Sequence, residues 1–244
     1  MLPPDTEALW HFLREQPLLR GFILIGGTAL ALHLRHRVSE DLDFIWLGLD
    51  LPRQRLDALR ELGQANGFAF ARQDNQAAYE EFLIAGMELH DSMQNFVVNG
   101  NVKVGFFTPD QQVETVFRTG WSPDAGEAPR VATIDEIFRS KCLVSAHRSK
   151  TRDWFDLYLL MRDHGYTMRD YRQAFLDAND RYGFSIGLHR LSSGLPGVLD
   201  EGFQALLPNP PTVEEMRDFF RQRRDELEVE LAAEKFREPP PPLS

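Results

Sequence analysis

The stretch Gly26-Gly27-Thr28-Ala29-Leu30, followed by His36-Arg37-Val38-Ser39-Glu40-Asp41-Leu42-Asp43-Phe44, decides how this chain reads. An apolar run, Phe22-Ile23-Leu24-Ile25, precedes it with the composition of a short buried strand. The two glycines break that strand, and the apolar-rich run Thr28–Leu34 reads as a helix start. A glycine turn between strand and helix leaves unpaired N–H groups and the positive end of a helix dipole aimed at one spot. That arrangement suits a phosphate. Asp41 and Asp43 lie two residues apart in a second strand-like run, so period-2 alternation puts both carboxylates on one face. Leu42, Phe44 and Trp46 line the other. Two neighbouring acids repel unless a cation lies between them, and magnesium prefers such hard oxygen ligands. Alone, Gly-Gly is an ordinary turn and Asp-x-Asp an ordinary solvated pair. In this order and spacing they read as a phosphate cradle (Gly26, Gly27, Thr28) facing a metal-binding pair (Asp41, Asp43).

Composition narrows the classes. With 244 residues, 43% of them hydrophobic and 18 of them Phe, the chain can bury a substantial core and is not of the disordered type. No run of about 18 apolar residues is present, so no transmembrane span is expected. The start, Met1-Leu2-Pro3-Pro4-Asp5, lacks the basic-then-apolar pattern of a secretion signal. A single cysteine, Cys142, cannot form an internal disulfide, which fits a reducing cytoplasm. The net charge of −10 disfavours bulk nucleic-acid binding, which is usually the work of basic proteins. A small nucleotide or a tRNA end remains compatible if magnesium neutralises the phosphates.

Along the chain, residues 5–16 read as a helix with Leu9, Trp10 and Leu13 on its apolar face. Residues 52–66 carry Leu56, Leu59 and Leu62 at helical spacing before an Asn66-Gly67 stop. Phe68-Ala69-Phe70-Ala71 begins a strand, and residues 72–93 give no clear pattern. Asn95–Val98 and Val102–Phe107 are β-rich and joined by Asn99-Gly100, a strong hairpin signal. Trp121–Pro129, rich in Gly, Pro and acid, reads as a linker or surface loop. Thr133-x-x-Glu136 is a capping box opening a helix to about Arg148. Arg152–Met161, Thr167–Arg181 and Thr212–Arg237 read as further helices. Pro239–Pro242 cannot continue a helix and reads as a disordered tail. The expected organisation is an α/β (α+β) domain over residues 1–120, a helical domain over 130–238, and a Pro-rich tail over 239–244.

A second polar group stands out: Lys141, Arg148, Lys150, Arg152, Asp153 and Asp156. Asp153 and Asp156 are three apart and share a helix side, while Arg152 and Asp156 are four apart and can pair. A solvated face with ordinary ion pairs explains such a run. The flanking Trp154, Phe155, Leu157 and Leu160 instead suggest a buried helix, where charges need partners or a job. Lysine then offers phosphate a point charge and arginine a bidentate fork. The seven histidines show only one close pair, His33 and His36, with no further ligand nearby, so zinc is not expected.

These residues carry a resemblance. Gly26-Gly27-Thr28-Ala29-Leu30 with His36-Arg37-x-Ser39-x-Asp41-Leu42-Asp43-Phe44, then Lys141 and Arg148-x-Lys150-x-Arg152-Asp153-x-x-Asp156-Leu157-Tyr158, resembles the AbiEii/AbiGii family. These are nucleotidyltransferase-fold toxins of bacterial abortive-infection and toxin–antitoxin systems. The resemblance implies a polymerase-β-like nucleotidyltransferase core with a mixed sheet, followed by a helical domain. It implies a magnesium-dependent transfer of a nucleoside monophosphate from an NTP to an acceptor, such as tRNA or a protein, and a cognate antitoxin as partner. By the same resemblance Gly26, Gly27 and Thr28 form the first motif, and Asp41 and Asp43 bind one or two metal ions. Lys141 holds the triphosphate, and Asp156 is needed for activity; beyond the resemblance, Arg37 is a candidate for a further positive charge at the phosphates.

One element of the superfamily pattern is missing. Many polymerase-β-like enzymes carry a third carboxylate, often the general base, on a later strand. The corresponding stretch here, Val102-Lys103-Val104-Gly105-Phe106-Phe107, has no acid. Asp156 becomes the first candidate for the base. The gap leaves two alternatives open: an NTP-binding module acting through protein partners, and a small-molecule nucleotidyltransferase of the aminoglycoside type. The basic run Arg148–Arg152 speaks against a cationic substrate.

Overall fold

The computed structural model describes residues 1–73, 76–197, 200 and 202–237. The Pro239–Pro242 stretch read as a tail lies outside them. The chain divides into two compact units, one of residues 1–137 and 204–208, the other of 138–203 and 209–244. Among the described residues, no helix is long and apolar enough to cross a membrane.

The first unit is built in the order α1 (Pro4–Leu13), β1 (Ile23–Ile25), α2 (Gly26–Leu34), β2 (Leu42–Ile45), α3 (Arg53–Ala65), β3 (Phe70–Arg72), α4 (Gln76–Ile84), α5 (Leu89–Ser92), β4 (Met93–Val98), β5 (Val102–Phe107), α6 (Gln111–Phe117) and β6 (Arg130–Val131). The strands form one mixed sheet in the order β3-β4-β5-β2-β1-β6. The β2 strand runs antiparallel to β1 and parallel to β5, and β6 lies parallel to β1. This is the mixed sheet expected of the α/β class. One sheet face is aromatic: Phe44 stacks on Phe106 at 5.3 Å, and Phe22 meets Phe106 edge-on at 5.6 Å. Trp10 of α1 closes on Phe44. Burying these side chains dictates that the alternate residues of the same strands turn to the opposite face.

The β4–β5 hairpin turns as its Asn-Gly pair requires, with Asn99 at φ 51° and Gly100 at φ 80°. Residues 72–93, unpatterned in sequence, hold the short α4 and α5 helices. Of the two readings of Trp121–Pro129, linker or surface loop, the structure gives a loop tied into the first unit. Trp121 packs edge-on against Trp46 and donates its indole N–H to the Gly21 carbonyl at 2.7 Å, and β6 follows directly. Residues 204–206 also return to this unit: Gln204 and His36 carbonyls accept from Val38 and Leu206 N–H groups, flanking an Arg37–Ala205 bridge.

The second unit is helical. It takes in most of α7 (Ile134–Ser145), then α8 (Thr151–Asp163), α9 (Met168–Asp177), α10 (Arg181–Ser193) and α11 (Val213–Arg237). Both expected capping boxes are present, Thr133 with Glu136 and Thr212 with Glu215. The helix expected over 167–181 stops at Asp177. Asn179 adopts a left-handed φ of 54°, and Asp180 caps α10 through the Gly183 N–H. Trp154, Phe155, Leu157, Tyr171, Phe175, Phe220 and Leu227 are buried.

Candidate functional site

The β1 strand ends at Ile25, and Gly26 turns the chain into α2 at φ +72°, a value that favours glycine. Gly27 is needed for a different reason. A Cβ there would lie on the buried Arg37 guanidinium and 3.1 Å from the Ser39 hydroxyl. The Thr28 hydroxyl, read from sequence as a phosphate contact, is placed inward. It donates to the Asp41 carbonyl and lies 2.9 Å from the Ser39 hydroxyl, so α2 directly ties down the loop that carries the acids. Arg37 also turns inward, donating to the Val38 carbonyl at 3.0 Å.

Asp43 sits in β2 between Leu42 and Phe44, both fully buried, and so projects from the face opposite the aromatic core. Its β1 neighbour is Ile25 and its β5 neighbour is Gly105. The Cα of Gly26 faces the same carboxylate: a Cβ there would be 3.6 Å from Asp43 Oδ2. Asp41 and Asp43 line a pocket of about 380 Å³ with Gln73, Asn95, Lys103 and Gly105. Gly26 thus lies next to Asp43, and Asp43 shares the pocket with Asp41. No local signal brings Gln73, Asn95 and Lys103 to Asp43, because nothing local links β3, β4 and β5 to β2.

Among the described residues, no three His, Cys, Asp or Glu side chains converge as a metal group. Two carboxylates still fit magnesium, which is commonly held by one or two protein carboxylates with waters and substrate phosphates completing its shell.

In the helical unit, Lys141 of α7 is buried and its Nζ lies 3.0 Å from Asp153 Oδ1 and 2.7 Å from Asp156 Oδ2. Both acids belong to α8, one helical turn apart. Arg148 reaches Asp153 in a two-pronged contact, Nε to Oδ2 at 2.8 Å and a second guanidinium N–H to Oδ1 at 3.2 Å. Burial by itself would raise the Asp153 carboxyl, but Lys141 and Arg148 overcome it and hold the group down at about 2. Lys141, Arg148 and the two carboxylates thus meet in one cluster. Asp156 is fully buried against Lys141, a placement that suits fixing the lysine better than taking a proton from a substrate. The start of α8 is held by Asp200, whose carboxylate accepts from the Thr151 N–H and hydroxyl at 3.0 and 2.5 Å.

Lys141→Ala would leave Asp156 and Asp153 buried without their shared cation and should cost roughly 3–5 kcal/mol in urea unfolding. Arg148→Ala should cost less, because the Arg148 side chain is 49% exposed. Asp153 has a depressed carboxyl, so its stabilisation is present above the ordinary value of 3.8 and is lost as pH falls toward about 2. Asp153→Asn should therefore flatten the acid limb of the stability–pH curve over that interval while lowering stability at neutral pH. An unchanged acid limb would contradict the assignment.

The chain is 25% identical over 202 residues to the uncharacterized protein aq_aa25 of Aquifex aeolicus (strain VF5), covering 83% of this chain and 85% of that one. Among solved structures it is similar to JHP933 from Helicobacter pylori, at 18% identity and a TM-score of 0.47, covering 96% of this chain and all of that one. It is also similar to MenT4, a nucleotidyltransferase toxin of Mycobacterium tuberculosis H37Rv, at 14% identity and a TM-score of 0.37, covering 93% and 91%. The model of the family described as nucleotidyl transferase AbiEii toxin, type IV toxin–antitoxin system, matches residues 7–243. The chain belongs to the AbiEii nucleotidyltransferase toxin family.

Proposed function

We propose that this protein moves a nucleoside monophosphate from an NTP to an acceptor, RNA such as tRNA or a protein, as the toxin of a type IV system with a cognate antitoxin. The observation that carries the reading is the meeting of the Gly26 turn with the Asp43 carboxylate beside Asp41, at the edge of one pocket. Asp41 and Asp43 would hold magnesium, which when bound neutralises charge on the triphosphate and on the reacting oxygens. Gly26 and Gly27 bring backbone close to the phosphates, and Thr28 and Ser39 keep the acid-bearing loop in place. Arg37, packed on Gly27, adds positive charge behind the turn. Lys141 is proposed as the cation for the triphosphate, with Asp153 and Asp156 as the residues that position it.

The acceptor hydroxyl forms the new bond to the α-phosphorus, the bond to the β-phosphate oxygen breaks, and pyrophosphate leaves. The hydroxyl proton passes to solvent, since β5 offers no carboxylate to receive it. Catalysis of this kind rests on positioning and charge neutralisation.

A second reading, a nucleotide-binding module without transfer, is favoured by one observation: Gly105 stands beside Asp43 where a third acid could have been. Incubation with each α-labelled NTP, magnesium, and total RNA or total protein separates the two. Transfer predicts label on one acceptor fraction, loss of label with EDTA, and a rate lower by roughly 10³-fold or more in Asp43→Ala. Absence of label with every NTP would support the module instead. Gly27→Ala, which displaces the Arg37 guanidinium, should raise the KM for NTP while the protein stays folded by circular dichroism. An unchanged KM would remove Gly27 and Arg37 from the phosphate side of the site.

A further inference from the structure

The missing third acid leaves a gap in the sheet, and a neighbouring strand reaches into it. On β5, Gly105 pairs with Asp43 of β2 on one side and with Asn95 of β4 on the other. Residues paired across adjacent strands point to the same face, so Asp43, Gly105 and Asn95 occupy one level of one face. The point where a Gly105 Cβ would stand lies 3.0 Å from Asp43 Oδ1 and 3.4 Å from Asn95 Oδ1. The two oxygens therefore lean over the glycine from either side, and both residues line the same pocket. Any side chain on residue 105 would press on both.

We propose that the Asn95 carboxamide oxygen is the third protein oxygen of the Asp41/Asp43 cation site, contributed from β4 in place of an acid on β5. The inference rests on the metal reading given above. An amide oxygen is a hard, neutral ligand of the kind that joins carboxylates around divalent cations. It completes an oxygen set while leaving the protein's own charge at the two carboxylates. Lys103, two residues before Gly105 and also lining the pocket, adds a positive charge at this face. A site with two negative charges, a neutral oxygen and a nearby lysine holds a free cation weakly and an NTP-borne cation well. The protein is thereby set to bind its metal with the nucleotide, not before it.

The test is Mn²⁺ binding to the full chain followed by electron paramagnetic resonance, with and without a non-hydrolysable NTP analogue. The wild type should bind Mn²⁺ weakly alone and more tightly with the analogue. Asn95→Asp, nearly isosteric, adds a charge and should tighten nucleotide-free Mn²⁺ binding by about tenfold. Asn95→Ala should weaken the Mn²⁺–nucleotide complex by about tenfold. Circular dichroism melting confirms that each variant is folded. Wild-type Mn²⁺ binding in both Asn95 variants, with binding lost in Asp43→Ala, would overturn the role of Asn95 and leave the metal pair standing. Unchanged binding in Asp43→Ala would overturn the metal pair and the Asn95 inference with it.

Discussion

The register of β2 is the constraint on which the site depends. Its period-2 alternation sends Leu42 and Phe44 into the aromatic core and Asp43 out of it. A one-residue slip would expose both apolar side chains, at about 1.5–3 kcal/mol each, and drive a carboxylate into the space between Trp10, Phe22 and Phe106. Stability of the fold and placement of the acid are thus one requirement. The Gly26 turn follows from the same pairing, because Ile25 lies opposite Asp43 and the chain must leave the sheet immediately afterwards. The Thr28 hydroxyl on the Asp41 carbonyl then fixes the first acid relative to the second.

The helical unit answers a different electrostatic problem. Lys141, Asp153 and Asp156 are all buried, and desolvation works against each. Their proximity, with Arg148 on Asp153, offsets that cost through short charge-assisted contacts. The lysine is a prepared group: its position is set by two carboxylates before any substrate arrives. A single aspartate could pair Lys141 but could not hold its ammonium group between two points of α8.

Much of this was legible in the residues, and the rest was not for identifiable reasons. The Gly26-Gly27 break, the alternation through Phe44, the Asn99-Gly100 turn and the Thr-x-x-Glu caps are local signals, and each appears where the spacing places it. The residues also group Lys141 with Asp153 and Asp156, but helical spacing cannot reveal that Asp156 meets Lys141 of another helix. Thr28 reads as a phosphate contact in sequence because a hydroxyl after Gly-Gly has no visible inward partner until the loop folds back over α2. Asn95 was half legible. Counting outward from the hairpin turn sets it opposite Gly105, but the parallel pairing of β5 with β2, which brings both to Asp43, is non-local. Trp121 is hidden in a segment whose Gly, Pro and acid content masks an indole anchor, and the two-residue β6 that follows it is too short to show a pattern. The extension of the first unit to residues 204–208 rests on backbone pairing with residues 36–38, which leaves no compositional trace.

The central claim is that Asp41 and Asp43 form a cation site for a nucleotide. Anomalous diffraction from crystals soaked with Mn²⁺ and a non-hydrolysable NTP analogue tests it most directly. A peak bounded by the Asp41 and Asp43 carboxylates, with analogue phosphate density beside it, is the predicted result. Ordered analogue with manganese elsewhere, or bound away from these two acids, would contradict it.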